Sequence, residues 1–331
     1  MSNFWLALAR IGLPAWFIAI DLLWVAKPDV LGIDARHYQR AASAWLAGGD
    51  PWAVTESGAT YAAGPHTLVF YAPTSPLPLE AAVAFWLILG AAASVWVVQR
   101  LGLPIWWVLF PPLVHAVWNG NSQAVALGLL VLGGPLAGAA AVGLKLYAAV
   151  PLLARPRTLI VAAIALAVTL PLLPWELYMR AGFGVNDHIH TAWNGSAWRL
   201  PILVPPTLLA LWILRRQGAE WLAVPALWPA TQFYYAAMAL PALVGVPRED
   251  GRPVTGSPVV AAALALPAPL IAPLVVMALA ARMIWSARQG DRGSGSGTSA
   301  PSSRMRKASA SISAWMGGTA HGTRSSVSGE P

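Results

Sequence analysis

The chain has no cysteine, and charge of either sign is scarce: 13 Asp and Glu and 21 Lys and Arg, or 10% of 331 residues. The first absence excludes disulfides and thiolate metal sites. The second argues against a water-soluble domain, in which about a quarter of the residues are charged. Hydrophobic residues make up 57% of the chain, with 18 Trp and 29 Pro, and apolar runs recur from end to end. Within hydrocarbon only a helix or a closed barrel satisfies its own backbone, so an all-α polytopic integral membrane protein is expected. The net charge of +8 does not describe a nucleic-acid surface. From Arg282 to Pro331 there are seven Lys and Arg against two Asp and Glu, so this segment carries five of the eight net charges.

Apolar runs are expected to form spans at 4–26, 79–99, 103–118, 122–134, 136–154, 158–175, 198–214, 219–245 and 257–284, about 8–10 transmembrane helices in all. Several runs are shorter than about 20 residues, so tilted or broken helices are expected near Asn119 and Lys145. Residues 4–26 carry no small-residue cleavage site after them and read as a retained helix. Residues 27–78 and 176–197 form polar loops. Residues 1–288 form one transmembrane domain, and 289–331 a disordered, basic, Gly/Ser-rich cytoplasmic tail. Arg100, Arg155, Arg157, Arg215, Arg216, Arg282 and Arg288 mark the cytoplasmic ends. The two polar loops then face outward from a plasma (inner) membrane, and the turn near Lys145 lies close to the outer face.

The segment "IDARHYQRAASAWLAGGDPW" follows the first span. As a helix over 34–47 it places Arg36, Gln39, Arg40 and Ser43 on one face, and Asp34, Tyr38, Ala41 and Trp45 on another. That pattern predicts an amphipathic helix lying on the outer membrane surface. Asp34 at its start fits an N-cap. Asp50 in "GGDP" fits a turn. Lys145 stands inside an apolar run, where a charge is costly and points to function unless its stem snorkels to the interface. Asp21, inside the first span, suits a structural partner of Lys145 or Lys27. Asp187, His188 and His190 of "NDHIH" fall short of the three or four arranged ligands that a zinc site uses, so no metal and no other cofactor is expected.

In "IDARHYQRAASAWLAGGDPW", residues Asp34, Tyr38, Ala41, Gly48, Gly49, Asp50, Pro51 and Trp52 match in order the first motif of glycosyltransferase family 87, of the GT-C superfamily. The segments "YAAGPHTLVFYAP", "GNSQAVALGLLV", "GLKLYAAVPLL", "WNGSAWRL" and "WPATQFYYAAMALPAL" resemble its later motifs more loosely. Leu146 stands where the family has Pro, and Gln232, Tyr234 and Tyr235 stand where His is common. The resemblance spans about residues 5–245. It implies a GT-C-like fold and an inverting hexosyltransferase, mannose being the default sugar. The enzyme would take that sugar from a polyprenyl-phosphate donor to an extracytoplasmic lipid or glycan acceptor, with membrane lipids and not nucleic acid as its other partners. The acceptor hydroxyl must lose a proton as it attacks the anomeric carbon, and Asp34 is the expected general base. The departing phosphate needs cations and donors around it, for which Lys145, Arg36, His37, His66 and Arg199 are the candidates. Tyr38, Tyr61, Asn121, Gln123, Asn194 and Tyr235 are the candidates for binding substrate. Two other classes compete. A transporter or flippase should show an internal repeat and mid-membrane charge, whereas no convincing repeat is present and the polar clusters sit in the loops. A non-catalytic scaffold derived from the same fold should leave Asp34 tied up as a cap.

Overall fold

A computed structural model describes residues 3–25, 27–56, 59–181, 194–215, 217–244 and 258–294. The chain divides into two units, Met1–Met283 and Ile284–Pro331. Of the second, the described part is helical to Ser294, beyond the residue 289 at which the tail was expected to begin. The rest of that tail and the "NDHIH" segment lie outside the described residues.

The first unit is all-α. Its helices are α1 (Asn3–Val25), α2 (Ile33–Leu46), α3 (Leu68–Tyr71), α4 (Leu79–Arg100), α5 (Pro111–Trp118), α6 (Gln123–Leu132), α7 (Pro135–Leu144), α8 (Ala149–Leu152), α9 (Pro156–Thr169), α10 (Trp175–Arg180), α11 (Val204–Ile213), α12 (Ala219–Leu227), α13 (Leu240–Leu243), α14 (Pro258–Leu264) and α15 (Ile271–Ser294), the last running on into the second unit. Two-residue strands β1 (Thr55–Glu56) and β2 (Ala59–Thr60) pair antiparallel. Among the described residues two helical stretches are long and apolar enough to cross a membrane, Leu79–Arg100 and Ile271–Gln289, and the other apolar stretches counted there, Ile11–Leu23 within α1 among them, are shorter.

The breaks have local causes. Proline occupies the first turn of α5, α7 and α9, where its missing N–H costs nothing. The 103–118 run divides into a 3-10 turn, Ile105–Leu109, and α5. The 136–154 run breaks at Lys145, whose extended backbone (φ −147°, ψ 110°) ends α7 before the 3-10 turn Leu146–Ala148. The 219–245 run divides at 228–232, and a 3-10 segment, Phe233–Ala239, follows. The 257–284 run divides into α14 and the start of α15.

Phe17 on α1 is fully buried and meets the rings of Trp106, Trp107 and Phe110 at centroid distances of 5.9, 5.7 and 5.4 Å. This contact ties α1 to α5 and the turn before it. A smaller core forms where α2 and α3 pack on α4 and α6, around Ala35, Leu68, Tyr71, Val83 and Trp86. The expected polar face is therefore corrected at Gln39: α2 buries Ala35, His37, Gln39, Ala41 and Ala42 against protein, while Arg40, Ser43 and Leu46 are exposed. Gln39, assigned above to a polar face, is 2% exposed and exchanges hydrogen bonds with Thr74 and Ser75. Small alanines let α2 approach α4 closely, and this low apolar content hid the buried face.

Candidate functional site

The site begins at the end of α5. Gly120 (φ 67°) closes that helix in a Schellman motif: Gly120 N donates to Val117 O at 2.8 Å and Asn121 N to Ala116 O at 2.8 Å. The carbonyls left over accept from the start of α2, Trp118 O from Gly32 N at 2.8 Å and Asn119 O from Asp34 N at 2.9 Å. The two segments touch so closely that a Cβ on Gly120 would stand 2.6 Å from Ala35 Cβ. Gly32, at φ 68°, is the residue that caps α2. The N-cap expected at Asp34 is therefore corrected, and the Asp34 carboxylate is available for other work.

That carboxylate is half-buried, and its Oδ2 accepts from Asn121 Nδ2 at 2.7 Å. The Asn121 amide is fixed by its neighbours. Its Oδ1 accepts from Gln123 N at 2.9 Å, so Nδ2 faces both Asp34 and the Tyr234 hydroxyl, 3.0 Å away. Asp34 Oδ1 has no protein partner among the described residues. Gln123 in turn accepts from the Tyr147 hydroxyl. Tyr147 packs on Tyr235 with centroids 4.3 Å apart, and Tyr235 on Tyr234 at 5.1 Å.

Lys145 enters from the break after α7. It is 5% exposed, and its Nζ donates to the Tyr38 hydroxyl at 2.6 Å while lying 4.5 Å from the centroid of that ring. Among the described residues no carboxylate lies within ion-pair distance of it, although Asp34 is near enough for its charge to act there. Tyr38 is stacked on Tyr71 at 4.7 Å, and Tyr71 on Trp86 at 4.1 Å. Burial first, then the charge of Asp34, holds the Tyr38 phenol well above its usual range. Tyr38 therefore keeps its proton and can donate while it accepts from Lys145. The result is a half-buried carboxylate over a buried floor of amides, phenols and one ammonium. Chemically it offers a base, a cation without a matched anion, and aromatic walls with hydroxyl tips.

The structure brings together Asp34, Tyr38, Asn121, Gln123, Lys145 and Tyr235, which lie far apart in the chain. Tyr147 and Tyr234 belong to the same cluster; neither was a sequence candidate, because a tyrosine in an apolar run reads as core. The signal in the sequence was their adjacency to Lys145 and Tyr235. Tyr61 stands edge-on to Tyr38 at 5.4 Å and is bonded to Thr67. His66 is 4% exposed and stacks on Trp175 at 5.7 Å. Burial first, then Lys145, lowers its pKa from 6.5 to about 4, so it is neutral at pH 7.

Arg36 binds Glu80 at 3.2 Å and Leu31 O at 2.5 Å. His37 is buried, and its Nε2 has no hydrogen-bond partner among the described residues. Asn194 is 1% exposed and holds a turn: its Nδ2 donates to Pro229 O at 2.9 Å, and its Oδ1 accepts from Ser196 N and Oγ. Arg199 ends a 3-10 turn, Ala197–Arg199. Asp50 caps the 3-10 turn Pro51–Ala53 by accepting from Trp52 N at 2.9 Å, as its place in "GGDP" implies. Asp21 is 8% exposed, and neither of its oxygens has a hydrogen-bond partner among the described residues, so the expected pairing with Lys145 or Lys27 is absent. No group of three or more potential metal ligands occurs among the described residues. No protein-family model, curated protein or solved structure matches the chain significantly.

Proposed function

We propose that the chain is a polytopic membrane glycosyltransferase that moves a hexose, by default mannose, from a polyprenyl-phosphate donor to a lipid or glycan acceptor on the extracytoplasmic face. The observation that carries this reading is the pairing of a half-exposed carboxylate, Asp34, with a buried ammonium, Lys145, that has no ion-pair partner among the described residues. A buried cation kept without a matched anion is costly, and an anionic ligand offsets that cost. Exposed apolar side chains along α9 and α11, among them Ile160, Ile164, Val168, Leu209 and Trp212, favour a hydrocarbon surround over water.

In the proposed reaction the Asp34 carboxylate takes the proton of the acceptor hydroxyl as that oxygen attacks the anomeric carbon. The bond from that carbon to the phosphate oxygen breaks, and the electron pair leaves with the phosphate. Lys145 meets the charge that develops there. Asn121 donates to Asp34 and holds its orientation, while the Tyr38 hydroxyl accepts from Lys145 and holds the ammonium. A single displacement of this kind inverts the anomeric centre.

The test is the purified protein in nanodiscs with polyprenyl-phosphate mannose and a lipid extract as acceptor, read by mass spectrometry. A hexose-shifted acceptor that depends on both components is expected. No transfer from any polyprenyl-phosphate hexose would overturn the reading.

A further inference from the structure

The hydrogen bonds around Asp34 leave one buried donor over. Asn121 Nδ2 carries two hydrogens. One goes to Asp34 Oδ2 at 2.7 Å and the other to the Tyr234 hydroxyl oxygen at 3.0 Å. The amide cannot turn round, because Asn121 Oδ1 accepts from Gln123 N at 2.9 Å. Tyr234 is therefore the acceptor in this contact, and its own proton points elsewhere. No acceptor for that proton lies within hydrogen-bond distance among the described residues, although Tyr234 is only 4% exposed. A buried donor without an acceptor is costly, so a ligand oxygen is the group that completes it.

Geometry selects the kind of oxygen. Two acceptors on one planar NH2 group, at these distances and roughly 120° apart, stand about 5 Å from each other. An oxygen placed between them reaches both at about 2.8 Å, an ordinary hydrogen-bond length. A hydroxyl there accepts the Tyr234 proton and gives its own hydrogen to the Asp34 carboxylate. An ether or carbonyl oxygen has no hydrogen to give the carboxylate, and an ammonium cannot accept from Tyr234. Two neighbouring phenols bear protons of the same kind. Tyr38 accepts from Lys145, the Tyr235 hydroxyl has no hydrogen bond among the described residues, and the charge of Asp34 reaches Tyr38, Tyr234 and Tyr235 alike. A simple alcohol leaves the second and third of these protons unused, whereas a sugar ring offers several oxygens at once.

We infer that Asp34 and Tyr234 grip a single hydroxyl of a glycoside between them, Tyr234 donating to its oxygen and Asp34 accepting its hydrogen. That this hydroxyl is the one that attacks in sugar transfer rests on the function proposed above; the clamp itself does not. Tyr234 keeps its own proton and turns the hydroxyl so that its hydrogen faces the carboxylate.

The probe is methyl α-mannoside, beside its monodeoxy analogues, measured for affinity with the full chain in nanodiscs by saturation-transfer NMR. The wild type should reject one analogue, the one lacking the gripped hydroxyl, by about a hundredfold, since a neutral and a charged hydrogen bond are lost together. Tyr234→Phe deletes only the phenol oxygen and keeps the ring against Tyr235 and His115. It should reject the same analogue only about tenfold, because the bond to Asp34 alone remains to be lost. Asp34→Ala should lessen the rejection of that analogue too. A weakening in Tyr234→Phe that is equal for every analogue marks Tyr234 as structural and overturns the clamp. So does a different hydroxyl singled out by Asp34→Ala. No binding of methyl α-mannoside by the wild type overturns the glycoside assignment. If Tyr234→Phe does not fold, 3-fluorotyrosine at position 234 decides: its fluorine resonance should move with methyl α-mannoside and not with the rejected analogue, and an unmoved resonance overturns the proposal. None of these readouts uses sugar transfer. Binding in the clamp without transfer would overturn the proposed reaction alone, and transfer with unchanged discrimination in Tyr234→Phe would overturn the clamp alone.

Discussion

At the scale of single residues, Asp34 and Lys145 divide the proposed chemistry between them, and substitution should separate their parts. Asp34→Asn keeps an oxygen for Asn121 Nδ2, which now donates at 2.7 Å to the carboxylate, and α2 is capped by Gly32, so folding should be preserved. The rate of transfer should fall by about two orders of magnitude or more, because a general base is lost. Donor affinity should stay near the wild-type value. Near-normal transfer by Asp34→Asn would remove it from the base role. Lys145→Met keeps the stem and deletes the charge. Its melting temperature should hold or rise, since a buried charge is lost. Donor binding should weaken by at least about 1.5 kcal/mol, the low end for a charged hydrogen bond. Equal donor affinity in Lys145→Met and wild type would make the lysine structural. His66 should respond to acid. Its folded pKa of about 4 lies below its unfolded value near 6.5, so the unfolded chain binds the proton first. The contribution is whole above pH 6.5 and lost as pH falls toward 4, by up to about 3 kcal/mol at 1.36 kcal/mol per unit. His66→Phe should flatten melting temperature against pH in that window, and an unchanged slope would count against the burial of a neutral ring.

At the scale of elements, the cluster was legible where polarity interrupts an apolar run. Lys145, Asn121 and Gln123 stand out for that reason, and Asp34 for its place in a motif. The partner of each was not legible. Nothing in the sequence says that Asn119 O would receive Asp34 N, or that Tyr38 would meet Lys145 across 107 residues. Such contacts follow from how α2 docks on α5, and the docking rests on an absent side chain. Gly120 supplies both the left-handed turn that ends α5 and the bare surface on which α2 begins. Gly120→Ala strains the backbone by about 1–2 kcal/mol and also places a methyl 2.6 Å from Ala35 Cβ. Its melting temperature should fall, and transfer should fall further than stability alone accounts for, since the Asp34–Asn121 contact is displaced. Wild-type stability and activity in Gly120→Ala would show that α2 is held elsewhere. The burial of α2 escaped the sequence for a related reason. Ala35, Ala41 and Ala42 carry little hydropathy, yet their small size permits the contact with α4.

At the scale of the whole first unit, the short helices acquire a common explanation if the molecule lies in a bilayer. A helix of 10–14 residues rises roughly 15–21 Å, less than the roughly 30 Å of hydrocarbon, so α6, α7 and α9 cannot each cross alone. The break at Lys145, which is 5% exposed, falls where protein encloses the chain, and there a broken helix is tolerated. In this arrangement α4, at 22 residues, is the ruler that fixes sidedness. Its first turn packs under α2, and its last turn ends at Arg100, where a basic residue marks the cytoplasmic side. Arg100, the last residue of this helix, and Ser43 on α2, which packs at the start of it, are both exposed. The chain has no cysteine, so a single introduced thiol reports without background. In intact cells a membrane-impermeant maleimide should label Ser43→Cys and spare Arg100→Cys until the membrane is opened. If both thiols react from the same side, α4 does not cross. The site would then not face outward with its donor in the bilayer, and the placement of Asp34 at an extracytoplasmic surface would fall with it.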